Sequence, residues 1–290
     1  MYDLAVAYRI YPKVSKPSHG LPFDTDKLRQ AELCLRSFKC SLGNLRVKIW
    51  AILDTCPTEY EDLFRRYFPA EDLVLVTLQD AGNHGTFSKQ IDILLEQRDA
   101  ENIYFAEDDY LYRPVAFAQL IDFLHHGHNV QFVSPFDHPD DYNLNFHDFP
   151  KWVQVYNGLH WRNAASTCLT FLTTRECLLR YKRIFRSYER RNYDTSLWIS
   201  LTKYRVFNVF SMLRYAAKDD LFGRILVKAW LHSAWQNVFG LRAKLWVPMP
   251  SIALHLDRHH VAPGFDLANL IIQEDGKVNS SKLLSKPHVD

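Results

Sequence analysis

The sequence predicts an α/β fold built on a doubly wound sheet, and three observations carry that expectation. Short apolar runs alternate with stretches of helical spacing through the first third of the chain. The punctuation between them is brief, as in strand–helix–strand units with parallel strands and right-handed crossovers. The fourth apolar run opens straight into three consecutive acids, Glu107, Asp108 and Asp109. In such sheets the carboxyl ends of the strands are where ligands bind.

The elements follow in order. LAVAYRI, residues 4–10, reads as a first strand, followed by a loop holding Pro12, Pro17, Gly20 and Pro22. Residues 24–40 place Leu28, Ala31, Leu35 and Phe38 on one helical face, with Asp24 or Thr25 suited to cap the start. Gly43 and Asn44 end that helix, and residues 45–53 form a second strand. A short helix over 59–68, a third strand over 73–78, a helix over 87–97 and a fourth strand over 102–106 complete the regular part. Beyond the acids the rhythm loosens. A helix over 115–126, a strand over 130–135 and an acidic loop over 136–150 come first. Strands over 152–156 and 168–173 then flank a loop, GLHWRNAAS, before a basic helix over 175–190. From Thr195 the chain reads as mostly helical, residues 248–260 as extended, and the end as a frayed tail.

Composition bounds the function. A chain of 290 residues, 47% hydrophobic, fills one large α/β domain or two fused halves. A formal net charge of +2 argues against a nucleic-acid partner, which calls for a basic excess. Aromatics at 14% supply flat rings of the kind that sugars and bases stack on. Five cysteines, an odd number without a CxxC pair, fit a reducing cytoplasm better than a disulfide framework. The N-terminus lacks the pattern of a secretory signal, and no apolar run approaches the roughly 18–20 residues that span a bilayer.

The acids carry the chemistry. Three adjacent carboxylates repel one another unless a cation compensates. Alternation along an extended chain puts Glu107 and Asp109 on one side and Asp108 on the other. Two carboxylates together suit a hard divalent cation, Mn²⁺ or Mg²⁺, which also binds phosphate oxygens. The bland alternative is a solvated turn after a strand.

At this point the chain resembles the glycosyltransferase-A fold, and within it the large inverting family two, with EDD in the place of the DxD motif. The resemblance implies a mixed sheet flanked by helices, with a helical C-terminal portion. It also implies a nucleotide-sugar-binding half (residues 1–112) fused to an acceptor half (113–290). The activity implied is hexosyl transfer from a nucleotide-sugar, a UDP-sugar by default, to a saccharide or lipid-linked acceptor in polysaccharide assembly. Glu107 and Asp109 would hold the metal, and Asp108 would face the nucleotide. Tyr8 and Arg9 fall where such enzymes seat the base. Asp54, in AILDTC, would accept from a base N–H, or else serve as a helix cap. Asn83, Gly85 and Lys89, in NHGTFSKQ, correspond to the stretch leading into the nucleotide-side helix. Asp194, ahead of Thr-Ser-Leu-Trp, takes the general base's position, with Tyr193 where the family often carries Glu; an ordinary N-cap is the rival role. His255, and second to it His259, is placed as the late metal-binding histidine. Trp161 and Arg162 fall where the family shapes its substrate pocket, against the alternatives of core packing and an ion pair.

Residues 224–246 mix Trp230, Trp235, Phe239 and Trp246 with Arg224, Lys228, Arg242 and Lys244. Packing of these aromatics against the sheet is the favoured expectation, and peripheral contact with the inner face of a membrane is the alternative. Gly240 is expected to break the stretch into two helices. Among rival classes, a nucleotidyltransferase calls for a Gly-rich loop after the first strand, where YPKVSKPSHG has one Gly. A retaining transferase would not need Asp194 as a base, and a non-catalytic sugar-binding protein of the same fold would be expected to lose the acids.

Overall fold

The computed structural model describes residues 1–13, 26–208, 210, 213–214, 221–257 and 261–262. Asp24, Thr25, His259 and the tail lie outside that set. Nine strands form one mixed sheet, ordered β3-β2-β1-β4-β9-β6-β10-β8-β7. Its first part is β1 (Leu4–Ile10), β2 (Val47–Asp54), β3 (Leu73–Leu78) and β4 (Asn102–Glu107), all mutually parallel. The connecting helices are α1 (Lys27–Leu42), α2 (Thr58–Tyr67) and α3 (Gly82–Glu96). The strand and helix order of this half is the one its hydrophobic pattern predicts.

The second part is antiparallel where it meets the first: β9 (Phe171–Thr174) runs against both β4 and β6 (Phe132–Val133). Outside them lie β10 (Leu245–Met249), β8 (Leu159–Ala164) and β7 (Val153–Tyr156). A separate two-stranded ladder pairs β5 (Tyr110–Tyr112) with β11 (Ala253–His255). The helices of this half are α4 (Ala116–His126), the short α5 (Asp140–Asn143), α6 (Arg175–Phe185), α7 (Asp194–Thr202) and α8 (Leu221–Phe239). Among the described residues no helix is long and apolar enough to cross a membrane.

Alternation along the central strands divides the core between the two faces. On β4, Tyr104 and Ala106 join Phe38, Phe64 and Phe117 on one side, while Ile103 and Phe105 join Phe87, Phe171, Phe185 and Trp198 on the other. The same alternation governs β1, where Tyr8 falls in the first layer and Arg9 turns toward α3. Gln90 secures the joint, its amide donating to Ala7 O at 2.7 Å and Ala106 O at 3.0 Å.

Three local expectations are corrected. The segment GLHWRNAAS is not a loop, because residues 159–164 form β8 between β7 and β10. Helix α3 begins at Gly82, so the NHGTFSKQ stretch lies inside its first turns instead of ahead of them. The basic aromatic stretch is one kinked helix ending at Phe239, followed by a strand that carries Trp246 into the core.

Candidate active site

The carboxyl ends of β1, β2 and β4 open on a cavity of about 770 Å³, walled on its far side by Cys168, Tyr188 and Asp194. All three acids of the EDD run line it, and each has a different environment. Strand β4 ends at Glu107, so alternation does not continue to Asp109: residues 108–109 form a turn into β5. Glu107 points to the α3 side, where Arg9 pairs with one oxygen and Thr170 Oγ1 donates to the other at 2.6 Å. Asp108 turns toward α1 and meets Lys27 Nζ at 2.9 Å. Burial raises its pKa from the ordinary aspartate value, with Lys27 opposing.

Asp109 meets His255. Its Oδ2 lies 3.1 Å from His255 Nε2, and its backbone carbonyl accepts from Leu256 N at 2.8 Å. The β5–β11 pairing sets Tyr110 opposite His255, which is what delivers the histidine. Burial works against the charge on both groups. Their mutual attraction outweighs it, lowering the pKa of Asp109 and raising that of His255. Asp109 Oδ1 and His255 Nδ1 are buried without a hydrogen-bond partner.

That orphaned carboxylate oxygen is the observation that bears on a metal. Asp109 Oδ2 and His255 Nε2 are engaged with each other at 3.1 Å, so Oδ1 is the oxygen left to face a hard cation. Glu107 does not fit as a third ligand, since both its oxygens are engaged. Among the described residues no group of three or more His, Cys, Asp or Glu side chains is arranged to hold an ion unaided. The pair suits an ion whose remaining positions come from phosphate and water.

Asp194 opens α7. Its Oδ1 accepts from Thr195 N at 2.6 Å and from Thr195 Oγ1 at 3.3 Å, and the residue lines the cavity. Burial raises its pKa, and Glu107 adds to the rise while Thr195 and Arg9 oppose it. A second cavity of about 60 Å³ shares Asp194 and Cys168 with the first, and is lined by His138, Asp140, His147 and Thr167. Asp194 therefore stands where the two spaces meet.

Several expected nucleotide contacts have other work. Tyr8 is a core residue, 1% exposed, with its ring edge-on to Phe38 and Phe64. Arg9 lines the cavity but is spent on Glu107 and on the Asn83 carbonyl at 3.0 Å. Asn83 reaches the cavity and donates to Tyr188 Oη at 3.0 Å. Gly85 is an internal residue of α3, and the close backbone approach expected of it falls to Gly82, which has φ of +63° and open space where a Cβ would sit. Lys89 lies two turns into α3, away from the cavity wall.

Asp54 is the cap of α3. Its two oxygens accept from Ala81 N at 2.9 Å and Gly82 N at 2.8 Å, across from another strand. Asp54→Ala should lower stability by about 1–2 kcal/mol, read as a shift in the denaturant midpoint. An unchanged midpoint would remove the cap from the account of how this wall is held.

Trp161 and Arg162 are also corrected. Their place on β8 buries both, Trp161 stacked on Phe123 at 3.9 Å and Arg162 bridging Asp137 and Asp141. Neither touches the cavity. Lys27 and Tyr188 are the site residues that sequence reasoning missed. Lys27 opens α1 and Tyr188 lies in the 3₁₀ turn Arg186–Arg190, each among other polar residues that leave it undistinguished.

No protein-family model matches the sequence, and no curated protein matches it. Solved structures do resemble it in layout. A putative nucleotide-diphospho-sugar transferase from Desulfovibrio desulfuricans G20 aligns over 70% of this chain and 76% of its own, at 9% identity and a TM-score of 0.42. A galactosyltransferase in complex with donor and acceptor sugar analogs covers 94% of this chain and 95% of its own, at 9% identity and a TM-score of 0.44. The glycosyltransferase GlyE of Streptococcus pneumoniae TIGR4 covers 100% and 66%, at 15% identity and a TM-score of 0.45.

Proposed function

We propose that this protein is a metal-dependent glycosyltransferase that moves a sugar from a nucleotide-sugar, UDP-linked in the first instance, to a saccharide or lipid-linked acceptor with inversion. The observation that supports it best is the half-buried Asp109–His255 pair, with one carboxylate oxygen unpartnered, on the same cavity as Asp194. In this reading residues 1–112 carry the donor nucleotide and residues 113–290 shape the acceptor side. Asp109 and His255 hold the divalent ion, which when bound offsets negative charge on the diphosphate leaving group.

The chain's own residues do the rest. The acceptor hydroxyl enters from the smaller cavity and places its oxygen against the anomeric carbon. As that bond forms, the bond to the diphosphate oxygen breaks and the hydroxyl proton passes to Asp194. Burial favours the protonated form of Asp194, which suits a group that must take up a proton. Lys27 holds Asp108 out of competition for the ion.

Calorimetric titration with UDP, GDP and CMP, with Mn²⁺ and with EDTA, tests the donor site. Metal-dependent binding of one nucleotide is expected, weakened about 10–100-fold in Asp109→Ala. If no nucleotide binds under any metal condition, the transferase reading fails and the acids are a structural turn.

A further inference from the structure

Helix α8 is apolar on both faces, and one of them has no cover among the described residues. Gly223, Ile225, Leu226, Ala229 and Asn237 form its buried side. This side lies against α7, whose Ser196 and Ser200 hydroxyls donate to Ile225 O and Ala229 O. The opposite side carries Leu221, Val227, Leu231, Trp235 and Val238 at helical spacing, continued by Phe239. Leu231 and Trp235 are each 75% exposed. The expectation that these aromatics pack against the sheet holds for Trp246 and fails for Trp235 and Phe239. A helix apolar all round is normally buried all round, and a contiguous apolar strip left outside marks a contact surface.

Charge identifies the occupant. Between residues 221 and 244 there are four cations, Arg224, Lys228, Arg242 and Lys244, and no acid. We infer that the outer face of α8 seats on the surface of an anionic lipid bilayer, with its apolar side chains in the acyl boundary and its cations against the headgroups. The helix is too short in apolar run to cross a membrane, so it lies in the interface. Its inner face packs on the helix that begins with Asp194, so docking would set the candidate site beside the membrane. The inference stands on residues 221–244 and needs no nucleotide chemistry.

The test is co-sedimentation of the full chain with vesicles of phosphatidylcholine alone and with about one third phosphatidylglycerol. Binding to the anionic vesicles is expected, about tenfold or more weaker for the double variant Leu231→Glu, Trp235→Glu, and weak on neutral vesicles. In parallel, anionic vesicles should blue-shift wild-type tryptophan emission by a component absent in Trp235→Phe, a substitution that leaves the fold undisturbed. Wild-type protein that stays off anionic vesicles, or a double variant that binds them equally, overturns the inference. So does a wild-type dimer that the double variant dissociates without any vesicle binding, which would give this face to a second copy.

Discussion

Asp194→Asn is expected to lower turnover by about 10²–10⁴-fold while raising thermal stability at neutral pH. The first effect follows from removing the proton acceptor of the attacking hydroxyl, and single-turnover rates at saturating donor should show it with nucleotide affinity unchanged. The second follows from burial. The folded state raises the pKa of Asp194, so it favours the neutral acid. Stability from this group is full below its unfolded pKa of about 3.9 and falls as pH rises through the higher folded value. At pH 7 the wild type therefore carries a cost that asparagine lacks. Asparagine keeps the hydrogen bond from Thr195 N, so the helix start survives. A gain of about 1–3 °C in Tm is expected at pH 7, shrinking as pH falls toward 4. A variant that turns over at the wild-type rate would exclude Asp194 as the base and favour retaining chemistry. A variant less stable at pH 7 would mean that the carboxylate is charged and paired in the fold.

Arg162→Ala is expected to be the most destabilising of the substitutions considered. The guanidinium is 2% exposed and bridges Asp137 and Asp141, both buried, while Tyr142 lies beneath it with its ring centre 5.0 Å away. Burial opposes its charge, yet the two carboxylates more than compensate and hold its pKa above the ordinary arginine value. Removing it leaves two carboxylates without their cation in a dry layer, at a cost of about 3–5 kcal/mol. That corresponds to a fall in Tm of roughly 10 °C. Lysine should recover little, because a single ammonium does not reproduce a planar fork between two acids. Unfolding in urea measures it. A loss below about 1 kcal/mol would mean that the triad is solvated and contributes no more than a surface ion pair.

These two residues also show what could be read from the chain and what could not. Strands β1 and β3 are legible to their last residue, because each is a near-continuous apolar run with polar ends, β1 fully buried and β3 half-buried at the sheet edge. The acids were visible too, as was the histidine that closes a late apolar run. What escaped was set by partners distant in sequence. Arg162 and Asn163 look like loop residues, yet β8 buries them because acids from the 137–141 segment, and Tyr204, meet them there. The start of α3 was placed late because Ala81 is no capping residue, and the cap comes from Asp54 on another strand. Tyr8 and Arg9 part from the role expected of both for a simpler reason. Alternation sends neighbours on β1 to opposite faces, and which side faces the α1 layer depends on the whole sheet. In α8, apolarity on every side conveys no direction, so periodicity could not tell a packed helix from an exposed one.

The ladder between β5 and β11 has a consequence for when the site comes into being. Asp109 and His255 are 146 positions apart in the chain, and the loop between them closes through three paired residues. Contacts of such separation form late, since most of the chain's entropy must be lost first. During synthesis, the four parallel strands can assemble well before His255 leaves the ribosome. Under the proposed function, nucleotide affinity would then be one of the last properties the folding chain acquires, and an incomplete molecule would not sequester donor or metal.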